Sequence, residues 1–462
     1  MIAWIAAATL AAQLGTGRQV SQPPAQAATA APSGEAFSID GHLSFSGDVL
    51  PVVDVAEFRP QLMLDVRGGL RGETFRYRVQ AIFEALVRHR GASAEHVRLR
   101  GASAEQVADP GTPITGAIAR LRDAWIQAAG ARGDLRAGYG RVIWGRLDEI
   151  QPSDVINPID ASRFLFDGRS EARLPVAFVR GRFFVREDLT IEGVLAPVFE
   201  RGRFDELEEP SSPFNLVRDV SIPALPGSVA GASPTALELR RIEPARTWSS
   251  MSGGARVSGT LGRLDISGSV YRGFESFGLI TIDSDGPPLL PDSPALTLVE
   301  RYPRFTMIAG DFETVRGEWA LRGEAAWFVD KRLAGLTRLD GVPGRAFDAG
   351  VGVDRRSGDY RVFVSAIVHR EWSRRDQTLT KADLNLVGSI DRDIARGRYF
   401  LRGFAVANPA DSSAFARALF VWRVRDDVSV EGSAAAFLGT SDDTLGRFQD
   451  RDFLLTKIRY RW

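Results

Sequence analysis

The feature that most constrains the fold of this chain is the rhythm of its connections. Segments with period-two patterning fall near residues 36–47, 59–69, 74–88, 116–129, 134–145, 173–186, 189–198, 248–261 and 264–278. They continue near 301–314, 317–331, 346–356, 359–372, 379–391, 397–407, 413–425, 428–438 and 451–462. Every second connection is tight: "GGLRGE", "GARGD", "REDL", "LGRL", "VRGE", "RRSGD", "RDIARG" and "RDD". The intervening ones are longer, the longest running from about Arg88 to Thr115, Arg146 to Ala172, Glu200 to Thr247 and Ile280 to Glu300. A sandwich or propeller has no reason to sustain that alternation, whereas a membrane-spanning barrel has short turns at one end and long loops at the other. The expected fold is therefore all-β: a transmembrane antiparallel up-and-down β-barrel of about 18 strands (16–18), with long extracellular loops and short periplasmic turns. An even strand number places both termini on the short-turn side.

The strands carry the two-faced pattern such a wall needs. In "TFRYRVQAIFEALVRHR", Phe75, Tyr77, Val79, Ala81, Phe83, Ala85 and Val87 share one face. Arg76, Arg78, Gln80, Glu84 and Arg88 share the other, interrupted by Ile82 and Leu86. "RYFLRGFAVAN" sets Tyr399, Leu401, Ala405 and Ala407 against Arg398 and Arg402, and "FARALFVWRVR" opposes Ala416, Ala418, Phe420, Trp422 and Val424 to Arg417, Arg423 and Arg425. The last strand, "DFLLTKIRYRW", sets Leu454, Thr456, Ile458, Tyr460 and Trp462 on one face and Lys457, Arg459 and Arg461 on the other. A final strand with aromatics at the tip of its apolar face resembles the closing strand of bacterial outer-membrane barrels. By that resemblance Ile458, Tyr460 and Trp462 are an assembly signal read by barrel-assembly machinery.

Composition excludes other classes. Lys+Arg 58 against Asp+Glu 58 gives zero net charge, so a nucleic-acid partner gets no support. The cations are nearly all arginine, Lys331, Lys381 and Lys457 being the only lysines, and arginine suits a charged wall through bidentate pairing. No cysteine is present, which excludes disulfides, thiol catalysis and cysteine metal sites. Mean hydropathy of −0.10 is too polar for a helical membrane protein. The one long apolar run, "MIAWIAAATLAAQLG", is too short to span a bilayer and fits a signal-peptide core, although no Lys or Arg precedes it. Ala25-Gln26-Ala27 offers a small-x-small cleavage site. The expected organisation is a signal peptide over 1–27, a linker over 28–35 and a barrel over 36–462, set in outer-membrane lipid, with a possible in-folded loop at 146–172. A duplicated "RGASAEHVRL"/"RGASAEQVAD" at 90–109 lies in a long loop and has no apolar face to stack, so it reads as a local duplication rather than a solenoid.

No catalytic constellation is visible. The four histidines, His42, His89, His96 and His369, form no HExxH or HxH arrangement, and there is no GxSxG elbow. His89 and His96 read as solvated, and His369 at a strand end reads as a girdle or loop residue. The glycine pairs Gly138/Gly140 and Gly350/Gly352 lie inside strands rather than before helices, so a nucleotide-binding reading fails on context. Loop carboxylates such as Asp442 and Asp443 specify no particular metal. The expectation is no enzyme, no cofactor and no metal.

The segment "GYGRVIWGRLDEIQPSDVINPIDASRFLFDG", residues 138–168, breaks the rhythm. Ser153 and Asp154 could cap a short turn, and Pro158 could begin a helix through "IDASRFLF". It combines Asp148, Glu149, Asp154, Asp160 and Asp167 with Ile156, Ile159, Phe164 and Phe166. One reading is an extracellular loop with a small core of its own. The other is a loop folded into the lumen, setting carboxylates across from arginines and selecting solutes by charge and size.

The stretch "RVIWGRLDEIQPSDVINPID" resembles the "VVWGE-DG-…-DVVNP-D" stretch of a group of proteobacterial outer-membrane barrels of unassigned function, themselves distantly similar to alginate-export porins. The matching positions are Val142, Ile143, Trp144, Gly145, Asp148, Asp154, Val155, Ile156, Asn157, Pro158 and Asp160. The resemblance covers about residues 138–200, and Arg146 stands where that family carries an acid. It implies an outer-membrane barrel serving as a transport route and assigns no substrate.

The functional expectation is a channel passing small polar or anionic solutes, or a polymer or lipid. Its lumen candidates are Arg76, Arg78, Glu84, Arg88, Arg398, Arg402, Arg423, Arg425 and the loop carboxylates. The equal structural alternative is a wall whose arginines are already neutralised by carboxylates. From another class comes a closed barrel that ends a lipid- or polymer-export complex and docks a periplasmic partner. A surface hydrolase is the least supported reading.

Overall fold

The computed structural model describes residues 37–70, 74–90, 114–160, 172–203, 236–282, 295–335, 338–373, 375, 380–441 and 443–462. The candidate signal peptide and linker, the duplicated loop, His96, Asp167 and Asp442 lie outside these residues.

Alternating residues close into a wall. The first strands are β1 (Phe37–Leu50), β2 (Val55–Leu70), β3 (Phe75–Arg90), β4 (Ile114–Gly130), β5 (Gly133–Gly140), β6 (Val176–Arg186) and β7 (Leu189–Ala196). Next come β8 (Ala236–Ile242), β9 (Ser252–Leu261), β10 (Leu264–Phe274), β11 (Leu279–Ile282), β12 (Ala295–Arg301), β13 (Arg304–Arg316) and β14 (Trp319–Gly335). The chain ends with β15 (Arg338–Ser357), β16 (Tyr360–Trp372), β17 (Lys381–Ile394), β18 (Tyr399–Asn408), β19 (Ser413–Arg423), β20 (Val428–Leu438) and β21 (Phe453–Arg461). Eighteen of these form one antiparallel sheet in which chain neighbours pair, and β1 also pairs with β21, so the barrel is closed. The remaining three, β8, β11 and β12, make a separate small sheet in which β8 and β12 run parallel.

Period-two patterning fixes which side faces out. On β3, Phe75, Val79 and Phe83 are exposed on the outer face, while Ile82 and Arg88 are buried inside. Across the sheet the exposed large side chains, such as Ile126, Val179, Ile308, Val364 and Ile390, sit on the outward parity as an apolar band suited to lipid. The eight tight turns quoted above join strands at one rim, and several use a glycine with positive φ, as at Gly262 (66°), Gly317 (58°) and Gly358 (57°).

The closing seam answers to the sequence's last residue. Trp462 exchanges backbone hydrogen bonds with Gly41, 3.2 Å in each direction, and its indole lies over the bare Cα of Gly41. A Cβ there would come within 2.5 Å of the indole ring. Tyr460 stacks at 5.9 Å from Trp462 and both rings are on the outward face. Aromatic cover of a glycine is a known way to pin register in β-sheets. Gly41→Leu should therefore slow closure; the heat-modifiable folded fraction on unboiled gels should fall, while Gly47→Ala, whose site has room, should leave it unchanged.

Several boundaries differ from the patterning. The fifth strand ends at Gly140 rather than 145, because the chain turns inward there. Strand β10 stops at Phe274, and β15 begins at Arg338, eight residues before the expected 346. The sheet β8/β11/β12 was not expected at all, since it is built inside the long connections. Not every connection on the long-loop rim is long: 51–54, 336–337 and 409–412 are as short as turns.

Candidate functional site

The candidate site is the segment from Gly140 to Asp160, which leaves β5 and crosses the inside of the barrel. Its base is held by Asn157, whose Oδ1 accepts from the Val142 amide (2.8 Å). The Asn157 Nδ2 donates to the carbonyls of Gly140 (3.3 Å) and Leu174 (2.8 Å). Trp144 Nε1 donates to Glu192 of β7 at 2.7 Å. Gly145 then turns with φ of 99°, and any Cβ there would meet the Glu324 carboxylate at 2.7 Å, so both backbone and space call for glycine.

Glu324, from β14 across the lumen, clamps the loop. It accepts hydrogen bonds from the Arg146 amide (2.9 Å), the Leu147 amide (3.3 Å), the Ser153 amide (2.6 Å) and the Ser153 hydroxyl (2.7 Å). Its partners are three loop amides and a hydroxyl rather than a cation, so the carboxylate works as a receptor for one loop conformation.

Around the clamp runs an ionic chain between loop and wall. Arg256 pairs with Asp311 (2.8 Å), Asp311 with Arg146 (2.6 Å), Arg146 with Glu313 (3.2 Å) and Glu313 with Arg322 (2.8 Å). Arg322 and Arg361 each contact both Asp148 and Asp354, at 2.6–3.1 Å. Arg146 also lies 3.9 Å from Asp265, so four guanidinium groups meet five carboxylates and the charges of loop and wall nearly cancel. Arg146, the position at which the resemblance expects an acid, is the loop's cation in this chain. Further along, Glu149 pairs with Arg402 (2.6 Å), which also lies 3.4 Å from Asp391. Asp154 pairs with Arg173 at 2.6 Å, each side chain 1% exposed, and Asp160 with Arg120 at 3.5 Å.

Apolar side chains fill the space between these charges. Val142, Trp144 and Ile156 join wall residues Phe178, Tyr271, Met307 and Phe328 in one buried cluster. Ile150 and Ile159 join Phe363, Phe404, Phe415 and Phe453 in another. The loop is therefore packed to the wall on several sides rather than folded on itself.

The placement of the other singled-out residues varies. Arg78 meets Asp65 (2.6 Å) and Asp123 (3.6 Å), Glu84 meets Arg59 (3.0 Å), and Arg88 is buried against Glu57 (2.6 Å), all on the inner wall. Arg76 shares that parity. Arg423 is also inner but donates to the Gly397 carbonyl. Arg398 lies in a turn with its guanidinium 5.9 Å from the Tyr399 ring, and Arg425 lies in the next turn, exposed and paired with Asp427 (2.8 Å). Pro158–Asp160 are extended, not the start of a helix, because Ile159 and Asp160 form bridges with Arg173 and Arg203. His369 is not a girdle residue: it is buried inside, with Nδ1 on Asp348 and Nε2 3.5 Å from Glu371. Among the described residues no group of three His, Cys, Asp or Glu could hold a metal ion.

The wall residues that receive the loop, Glu324, Asp311, Glu313, Arg322 and Arg361, were not marked by sequence reasoning. Nor were Arg136, Arg180 and Arg182, which extend the inner arginine row on β5 and β6. Strand parity alone would have placed them inside; nothing local says that a loop 170 residues earlier would dock there.

These features define a closed transmembrane β-barrel with a loop docked across its lumen. The chain belongs to the family described as "Protein of unknown function (DUF1302)", whose model matches residues 6–341. No curated protein matches the chain in sequence. Among solved structures it is similar to Pseudomonas aeruginosa OccK7 (OpdD), at 9% identity over 93% of this chain and 99% of that one, TM-score 0.48. It is also similar to Pseudomonas aeruginosa OccK2 (OpdF), solved in complex with glucuronate, at 11% identity over 93% and 98%, TM-score 0.47. A third is the Pseudomonas aeruginosa outer membrane protein OpdK, at 10% identity over 92% and 99%, TM-score 0.44.

Proposed function

We propose that the protein is an outer-membrane channel of porin type, in which the docked loop narrows the lumen and arginines favour anionic solutes. The observation that carries the reading is how the inner ion pairs are presented. The Arg78 side chain is 30% exposed while its partner Asp65 is 8% exposed. Arg182 is 35% exposed against 4% for Asp134. In both of these pairs the cation faces the water and the carboxylate is tucked behind it. A solute in the remaining passage along β3–β6 would meet guanidinium groups first, which attract carboxylates and phosphates by bidentate hydrogen bonding. Membership of a family without assigned function leaves the solute open to small organic anions or to a segment of an acidic polymer.

Single-channel recording of the refolded protein across a salt gradient tests this. Stable steps with a reversal potential on the anion-selective side are expected. Arg78→Gln together with Arg182→Gln should move that potential toward zero; an unchanged potential would take both residues out of the pathway.

The packing of Ile150, Ile159, Val142, Trp144 and Ile156 into two buried clusters favours a second reading. In it the lumen is closed at rest and the barrel ends an export complex, opened by a periplasmic partner at the short-turn rim. Silence of a fully folded barrel, with conductance appearing only beside a co-purified partner, would select it.

A further inference from the structure

The wall itself is not uniformly sealed. Pairing between β13 and β14 stops at Met307 and Phe328, although β13 begins three residues earlier and β14 continues to Gly335. Above that level Arg304–Thr306 stay with β10, and Lys331–Leu333 stay with β15 after a register shift between Phe328 and Lys331. The two strands therefore part toward the long-loop rim. Asp330 reaches across the gap, accepting from the Thr306 amide (2.5 Å) and from Arg272 (3.4 Å).

A cavity of about 810 Å³ occupies this notch. Arg304 forms one lip; Arg332, Arg345 and Arg375, with Trp372, form the other, and among the described residues Asp330 is the one acid of the lining. Lys331, also in the lining, already has two acids behind it, Glu371 (3.5 Å) and Glu275 (3.7 Å). The outer cations are differently placed. Arg304 gives its terminal nitrogens to the carbonyls of Ser249 and Met251, and its Nε makes no hydrogen bond. Among the described residues Arg345 forms no ion pair. Arg304, Arg345 and Arg375 around the carboxylate of Asp330 leave an excess of positive charge in a concave site.

The notch opens toward lipid. Ala346 is fully buried on the inner parity, so Arg345 and Phe347 point outward. Phe347 joins Trp327 (6.0 Å) and Trp372 (by way of Trp327, 5.3 Å) in an aromatic group on the outer face, of the kind that marks a membrane interface. The cations stand at the rim side of those rings, at headgroup height, beside apolar Val329 and Pro343.

We infer that this notch between β13 and β14 binds the phosphorylated headgroup of an outer-leaflet lipid, with arginines on phosphate and the lipid's chains along the aromatic group. Guanidinium forks match phosphate oxygens in pairs, and a partly desolvated site strengthens the contact. The inference uses the outer-membrane orientation proposed above and does not need the lumen to conduct.

The test is native mass spectrometry of the full-length refolded protein in detergent, titrated with diphosphoryl lipid A, with phosphatidylethanolamine, and with inorganic phosphate. Lipid A should be retained in preference to both others. Arg332→Glu/Arg345→Glu should weaken its retention by about tenfold or more, equivalent to roughly 1.4 kcal/mol, and Arg345→Gln by less. Arg316→Glu, at the opposite rim, should change nothing. Equal retention by the double variant and the parent would overturn the site. Equal retention of phosphatidylethanolamine would reduce it to ordinary lipid contact, and equally tight inorganic phosphate would make it a free-anion site; either overturns the lipid assignment. A non-conducting barrel that still retains lipid A would sink the channel reading alone.

Discussion

Replacing Glu324 with alanine is expected to enlarge the conducting path more than any other single change. The substitution removes the acceptor for three loop amides and the Ser153 hydroxyl. Left without partners in a packed interior, such donors cost about 1–3 kcal/mol each before water reaches them. The loop would relieve that cost by leaving the wall, and the lumen would widen. Single-channel conductance should rise several-fold, and open-state noise should rise with it. Glu324→Gln keeps one acceptor oxygen and should show a smaller change in the same direction. Conductance identical to the parent in Glu324→Ala would mean that the ionic chain through Arg146 and Asp148 holds the loop without the clamp.

The second large effect concerns stability. Asp154 and Arg173 face each other at 2.6 Å, both with 1% exposure, where the loop leaves and rejoins the wall. Removing one partner of a buried pair strands the other charge and costs about 3–5 kcal/mol. Asp154→Ala should therefore lower the urea midpoint of refolded barrel clearly. Asp154→Ala/Arg173→Met, which removes both charges and keeps most of the arginine's bulk, should recover much of that loss. A double variant no better than Asp154→Ala would show that Arg173 acts mainly through its hydrogen bond to Gln151.

The barrel was legible because its determinants are local. Alternation along one strand reports its two faces, and a glycine in a two-residue turn reports the turn, so β3, β16 and the short-turn rim could be read without any partner. The docking of the loop was half legible. Its acids Asp148, Glu149, Asp154 and Asp160 were marked, and all four meet arginines. Their partners Arg322, Arg361, Arg402, Arg173 and Arg120 lie up to 253 residues away, and only Arg402 had been singled out. The arginines of the last strands were harder. Arg398 and Arg425 sit in the same patterned segments as Arg402 and Arg423, yet they fall past the strand ends, where parity no longer says which way a side chain points. His369 lay within the expected segment 359–372 and was still misread: it shares the buried parity of Phe363, Ser365 and Ile367, which turns it into the barrel. The small sheet of β8, β11 and β12 had no signature beyond ordinary β-forming residues within long connections.

The clamp also has a meaning for how the molecule is built. Residues 146–153 find their partners on strands that are synthesised about 170 residues later, and Glu149 must wait for Arg402. Contacts of such separation form late because the entropy of closing the intervening chain must be overcome first. The segment therefore spends much of assembly inside a growing, unclosed sheet with Asp148, Glu149 and Ile150 unmatched. Its final seating can follow only when β18 is in place, three strands before Trp462 reaches Gly41. Closing the wall and filling the interior are thus nearly one event, and a chain cut short before β18 would lack both.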